Sequence, residues 1–517
     1  MSLVRNVSTI GSLTLVSRVL GMVRDMLMAR YVGAGMASDA FLIAWRLPNL
    51  FRALFAEGAM AAVFVPLFNK RMAEGEAEEE GTGLQAAKDF AGQVLSVLFP
   101  FLVIFTVLMM LLAGPIVYAM TGGFPDGGPE KFALARHLTI ITFPYLALIS
   151  LVSLLGGILN SLNRFWVNAA APILLNLSLI IALLFFRGET QAGTAETQAI
   201  AVTVAGVVQL LWLILSCRRA GVVLKLSRPR LTPQVKLMLA LIVPAVIGQG
   251  AIQINLLIST SLAARFLNEG AISWIYYADR LNQLPLGIIG IGVGTAILPM
   301  LSRQIGGGDH QAANDTQNRA IELAFYLAMP AAVALVVAGV PIVRGLLEHG
   351  VFDGKDTFGT ASVLAAFASG VPAYVLIKVL TPGFYARQDT KTPVRLALWS
   401  MLVNLIGNLV LIWPLGHVGV GIATSLSAWV NVILLYAVLH RRDLLLLDRR
   451  LVDKIWRILA AAAAMGLSLW YGSALADPWM TGGWYPRVSA PTLPRRGGAI
   501  VHGAASFPLG APPPPEI

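Results

Sequence analysis

The chain has 517 residues, of which 57% are hydrophobic and 13% charged. Soluble domains carry about a quarter charged residues, so the composition excludes an ordinary soluble enzyme and predicts an all-α polytopic membrane protein. The net charge of +11 does not make a nucleic-acid binder, because the basic residues sit in short connections between apolar runs, where they act as topology signals.

In chain order, thirteen apolar runs of roughly bilayer length fall near 8–30, 37–68, 92–119, 133–159, 167–186, 197–216, 236–264, 272–300, 319–340, 358–383, 394–413, 418–439 and 455–476. The first is too long for a signal peptide and carries Arg18, Arg24 and Asp25, so it reads as a retained span. Connections after the even-numbered runs are rich in Lys and Arg, among them Lys70, Arg71, Arg164, Arg228, Arg230, Arg303, Arg387 and Arg442. The intervening connections hold only Lys131, Arg136, Arg187, Arg265, Arg344 and Lys355. The positive-inside rule then places the N-terminus and the basic connections in the cytoplasm. A single cysteine, Cys217, excludes a disulfide within the chain, and no Cys/His cluster suggests a metal site. The acidic stretch "AEGEAEEEG" at 73–81 reads as a solvated loop.

The two halves repeat. Pro144, Asn160 and Asn176 recur as Pro372, Gln388 and Asn404, each 228 residues further on. "AWRLPNL" at 44–50 resembles "ADRLNQL" at 278–284. Six spans per repeat insert both copies the same way up, so two six-helix lobes related by an axis along the membrane normal are expected, as in transporters. The predicted division is an N-lobe over 1–220, a C-lobe over 221–445, a thirteenth span over 446–476 and a Pro/Gly-rich disordered tail over 477–517.

Charges inside apolar runs point to function. An Arg at the bilayer centre costs about 2.5–3.5 kcal/mol on insertion scales, so it persists where it faces a polar interior or a partner. Run 1 holds Arg18, Arg24 and Asp25, with Arg18 and Asp25 seven apart on one helix face. Run 2 holds Asp39, Arg46, Arg52 and Glu57, broken by Pro48, and run 8 holds Asp279 and Arg280. Asp39 and Glu57 are expected to partner arginines, and the surplus of guanidinium groups predicts an anion site between the lobes, phosphate oxygens suiting the planar fork of Arg. Gly21, Gly33, Gly35 and Gly58 are expected to bend helices around that cavity. Asn176, Asn404 and Asn408 read as interhelical hydrogen-bonding residues.

Longer motifs carry a resemblance. "SRVLGMVRD", "GAGMASDAFLIAWRLPNLFRALFAEGA", "WIYYADRLNQLPLGIIGIGVGTAILP" and "PGFYARQDTKTP" are similar to the MurJ (MviN) family of bacterial lipid II flippases, in the multidrug/oligosaccharidyl-lipid/polysaccharide exporter superfamily. The resemblance covers about residues 1–475. It implies two six-helix lobes plus a final pair of helices, in a multi-pass protein of the bacterial inner membrane. The implied activity moves undecaprenyl-pyrophosphate-linked lipid II between leaflets by alternating access, for peptidoglycan assembly and its synthesis machinery, with membrane lipids as surroundings and no cofactor. The family's essential arginines fall on Arg18, Arg24, Arg52 and Arg280, with Asp25, Asp39, Arg46, Glu57 and Asp279 as supporting or gating charges. Membrane potential would drive the cycle at least in part. Some members bind sodium through acids on the helices matching runs 7, 11 and 12, but here those runs offer Asn255, Asn404 and Asn408, which argues against sodium coupling. Beyond about Asp477 the sequence departs from the family, and a thirteenth helix without its partner is expected to be the least firmly packed span.

Two other readings remain open at this stage. The arginines alone also permit an exporter of drugs or of another polyprenyl-linked saccharide. A polyprenyl-phosphate glycosyltransferase is the alternative from another class, and it needs an acidic pair in the first extracytoplasmic loop, where "YVGAGMAS" has none.

Overall fold

The structure is a computed structural model that describes the backbone of residues 3–476. It describes the side chains of all of these but 3–8, 55–59, 61, 245–252, 254, 288, 291, 295, 296 and 473–476. The tail expected over 477–517 lies outside the described residues. Helices and no strand occur among the described residues, as a chain in hydrocarbon requires, since only local hydrogen bonding satisfies an isolated span's backbone.

The chain packs as two compact units, Met1–Gly270 and Ala271–Ile517. The first holds α1 (Leu3–Val32), α2 (Met36–Phe51), a π-helical segment (Arg52–Phe64), α3 (Val65–Glu78), α4 (Gly83–Leu111), α5 (Ala113–Thr121), α6 (Gly128–Thr142), α7 (Pro144–Ser161), α8 (Phe165–Phe185), α9 (Gln191–Arg219) and α10 (Pro233–Phe266). Here α8 packs between α1 and α9, α2 lies along α6, and the π-helical segment meets α7 and α10. The second holds α11 (Ala271–Gly306), α12 (His310–Val337), α13 (Gly339–Leu347), α14 (Gly354–Ala368), α15 (Val371–Tyr385), α16 (Lys391–Arg441) and α17 (Arg449–Ala476). Its core is built from α11, α12, α15 and α16, where Leu301, Ala324, Val375 and Leu439 are wholly buried. By packing, α10 belongs to the first unit.

All thirteen apolar runs fall on helices, but fewer qualify as spans by length and apolarity alone. Eight helices among the described residues do, or nine if Ala271–Gly287 and Gly292–Gly306 are counted as one bent span. Neither α1, with Arg18, Arg24 and Asp25, nor α2, with Asp39 and Arg46, is among the eight. Runs 11 and 12 merge as α16, whose arms meet at Gly416 with φ 56° and ψ −132°. That left-handed backbone favours glycine, and the arms then bond across: Ser400 Oγ donates to the Ser427 carbonyl at 2.6 Å. The acidic stretch at 73–81 is mostly the exposed end of α3, helical to Glu78, not a loop.

Two glycines expected to bend helices lie between helices instead. Gly33 closes α1 with φ 78°, and Gly35 sits in the connection beside Glu269, so both turn the chain between helices and bend none. Pro48 lies inside α2. Lacking an N–H, Pro48 cannot bond the Ala44 carbonyl four residues back, and the Thr142 hydroxyl of α6 donates to that carbonyl at 3.2 Å.

The motif "PGFYARQDTKTP" ties the α15–α16 connection to the far end of α16. Asp389 accepts from the Thr392 amide (3.0 Å), the Thr392 hydroxyl (2.6 Å) and Arg442 (2.8 Å). The Thr392 hydroxyl, then its amide, then Arg442 hold the Asp389 carboxyl down at about 2. A depressed carboxyl stabilises the fold above its unfolded pKa of about 3.9, and that contribution is lost as pH falls through the folded value. Asp389→Asn should therefore lower the thermal midpoint slightly at pH 7, with the gap to the parent protein narrowing from pH 4 to pH 2. Melting curves in detergent check this, and a gap of constant size across that window refutes it.

The last helix is not the loosest span. A third of the apolar window of α17 is buried within the protein (33%), against 22% for Gly83–Leu111. Its root is pinned to α12: Lys454 Nζ donates to Glu322 Oε1 at 2.8 Å, Arg319 to Glu322 Oε2 at 2.7 Å, and Arg319 also pairs with Asp448. The Leu446 backbone bonds Asn314 and Asn318.

Candidate functional site

The charges of α1 are met from α8. Arg24 donates to Asp25 Oδ1 through Nε (3.1 Å) and one terminal nitrogen (2.7 Å), and to Asn176 Oδ1 through the other (3.0 Å). Asn176 in turn donates to the Ser17 carbonyl at 3.0 Å. A helical carbonyl keeps a second lone pair for such a bond. The pair is largely out of water, with side-chain exposures of 13% and 6%. A desolvated ion pair needs such supporting bonds to offset its dehydration, and Asn176 supplies one. The seven-residue spacing groups Arg18 with Asp25, yet Arg18 is exposed and Asp25 buried, so the neighbour Arg24 takes the carboxylate.

Arg46 and Arg52 find neutral oxygens. Arg46 donates to the Leu256 carbonyl of α10 at 3.1 Å, and Arg52 donates from Nε to Asn49 Oδ1, one turn back, at 3.0 Å. Arg52 opens the π-helical segment. Glu57 lies on that segment, outside the residues whose side chains are described. In the second unit, Gln283 donates to Asp279, and the Arg280 guanidinium lies 5.1 Å from the centre of the Tyr276 ring.

Asp39 pairs with a lysine. It is wholly buried and accepts from Lys131 Nζ at 3.0 Å and from the Gly270 amide at 2.8 Å. Lys131, 1% exposed, also donates to Asp126 at 2.9 Å and lies 4.9 Å from the centre of the Phe124 ring. Beside it, Glu269 accepts from the Met36 amide at 2.8 Å. These bonds clasp together the first turns of α2 and α6, the α5–α6 connection and the chain after α10. The sequence marks Lys131 only as a connection charge, and nothing in its spacing joins it to Asp39, 92 residues away. Asn176 was legible as a polar residue in an apolar helix, although not as the partner of Arg24.

No group of three or more His, Cys, Asp or Glu able to hold a metal occurs among the described residues. What the interior does contain is oriented cations with fixed polar neighbours. A family model described as lipid II flippase MurJ matches residues 28–489. The chain belongs to the MurJ lipid II flippase family. A probable lipid II flippase MurJ of Rhizobium tropici is 42% identical over 486 residues, covering 93% of this chain and 89% of the relative. Among solved structures, the lipid II flippase MurJ in an inward closed conformation superposes with a TM-score of 0.77 at 23% identity, covering 97% of this chain and 99% of that one. An inward-facing multidrug resistance MATE family transporter of the MOP superfamily gives 0.64 at 17% identity, over 83% and 95%. At these identities the structural likenesses establish the fold alone: a polytopic helical membrane protein of the MurJ and MOP architecture. The family is the one that the sequence motifs resemble, and its match extends beyond the last of them.

Proposed function

We propose that this protein is a transporter that flips lipid II, the undecaprenyl-pyrophosphate-linked precursor of peptidoglycan, from the cytoplasmic to the periplasmic leaflet of the bacterial inner membrane. The observation that carries the reading is the family match across residues 28–489. Arg18, Arg24, Arg52 and Arg280 bind the pyrophosphate, whose paired oxygens suit guanidinium forks. For Arg24, Asp25 and Asn176 orient that fork, and Asp25 neutralises it until the more highly charged diphosphate competes for it. Alternating access moves the headgroup, membrane potential drives the cycle, and the peptidoglycan synthesis machinery takes the product.

Depletion of the protein should leave lipid II in the cytoplasmic leaflet, and a plasmid copy should restore its export. Unchanged lipid II on the outer leaflet after depletion would sink the proposal. The N-terminus is cytoplasmic in this reading, so a reporter inserted near Arg228 should be cytoplasmic and one near Asp353 periplasmic. Both reporters on one side would overturn the topology.

A further inference from the structure

A cavity of about 370 Å³ opens under the segment that joins α9 to α10. Its wall is apolar, with Leu95 of α4, Leu154 of α7, Leu210 and Ile214 of α9, and Val222 and Leu226 of the joining segment; Arg218 is the charged residue that lines it. The segment is pinned across the cavity. The Ser227 amide donates to Ser96 Oγ at 2.9 Å, and the Thr232 hydroxyl donates to Gln93 Oε1 at 2.9 Å. At Gly92 the chain passes so near that a Cβ would sit 3.3 Å from the Lys225 carbonyl.

The segment over this cavity carries charge of one sign. Between Arg218 and Lys236 the sequence holds Arg218, Arg219, Lys225, Arg228, Arg230 and Lys236 and no acidic residue. Val223, Leu226 and Leu231 stand exposed between those cations. Interleaved cations and exposed apolar side chains suit the boundary of a bilayer, where the first meet anionic headgroups and the second enter the acyl layer. A topology signal alone requires the charge, but not a preformed apolar cavity beneath it. The volume lies near the low end of ligand pockets, which span about 300–1,000 Å³; it admits part of a hydrocarbon chain and not a disaccharide-peptide headgroup.

We propose that this cavity holds an acyl chain of an anionic phospholipid whose phosphate rests on Arg218, a lipid site distinct from that of the transported substrate. Native mass spectrometry of the purified full chain, offered phosphatidylglycerol or phosphatidylcholine with identical acyl chains, tests it. Phosphatidylglycerol should be retained at least fivefold more. Arg218→Gln should bring its retention down to the phosphatidylcholine level, while Arg230→Gln, outside the cavity lining, should change it less than twofold. Ile214→Trp, which fills the cavity, should abolish retention of both lipids. If that variant fails to fold, Leu226→Glu on the exposed segment, which sets a carboxylate at the mouth, should bring phosphatidylglycerol retention down to the phosphatidylcholine level. Equal retention of the two lipids overturns the proposal. So does unchanged phosphatidylglycerol binding in Arg218→Gln, or full displacement of the lipid by millimolar inorganic phosphate, which would make free phosphate the ligand.

Discussion

Lys131→Ala should be among the most destabilising single substitutions in this protein. Lys131 stands between Asp39 at 3.0 Å and Asp126 at 2.9 Å, and its stem is packed so closely that a Cβ on Gly127 would lie 2.3 Å from its Cδ. Removing the ammonium leaves Asp39, wholly buried, without its counter-charge. Breaking a buried pair this way costs about 3–5 kcal/mol, because the desolvated partner remains. Asp39→Ala should cost a similar amount, losing also the bond from the Gly270 amide. The double variant should cost less than the two singles combined, by about 1–3 kcal/mol, since the singles share one interaction. Thermal unfolding in detergent, with membrane abundance as a second measure, reads all three. Singles that melt with the parent protein would mean that the clasp contributes nothing; strict additivity would mean that Asp39 and Lys131 act independently.

Arg24→Ala, Arg52→Ala and Arg280→Ala should each abolish complementation of a flippase-depleted strain at near-normal membrane levels. Lysine at the same positions should rescue only in part, because an ammonium is a point charge without a two-pronged fork. Arg24 adds a finer test. Asn176→Leu removes the bond that fixes its outer nitrogen while leaving Asp25 in place. It should weaken transport severalfold without the complete loss seen for Arg24→Ala. Growth of all three alanine variants would refute a role for these cations in anion binding. Asn176→Leu indistinguishable from the parent would show that Arg24 needs no help from α8.

The class of this molecule follows from composition. Apolar runs of bilayer length leave the backbone no water to bond, so they become helices whatever packs around them, and each of the thirteen runs lies on one. Motif resemblance likewise suffices for the family, because those residues stand in order along most of the chain. Pairing of the charges is different. Asp39 and Lys131 are 92 residues apart, and Arg24 and Asn176 are 152 apart. An ionisable side chain in a span must find some partner, a demand legible in the sequence; which partner it finds depends on helix packing. The helical repeat groups Arg18 with Asp25, whereas in the fold the adjacent Arg24 takes the carboxylate and Asn176 of α8 holds its other nitrogen. Run 2 reads as a hydrophobic stretch with misplaced charges, and only folding sorts them: Asp39 goes to Lys131, Arg46 to the Leu256 carbonyl, and Arg52 to Asn49 at the start of a π-helical segment. Hydropathy is a sum over neighbours in the chain. An ion pair is a distance in space, set by which helices pack together.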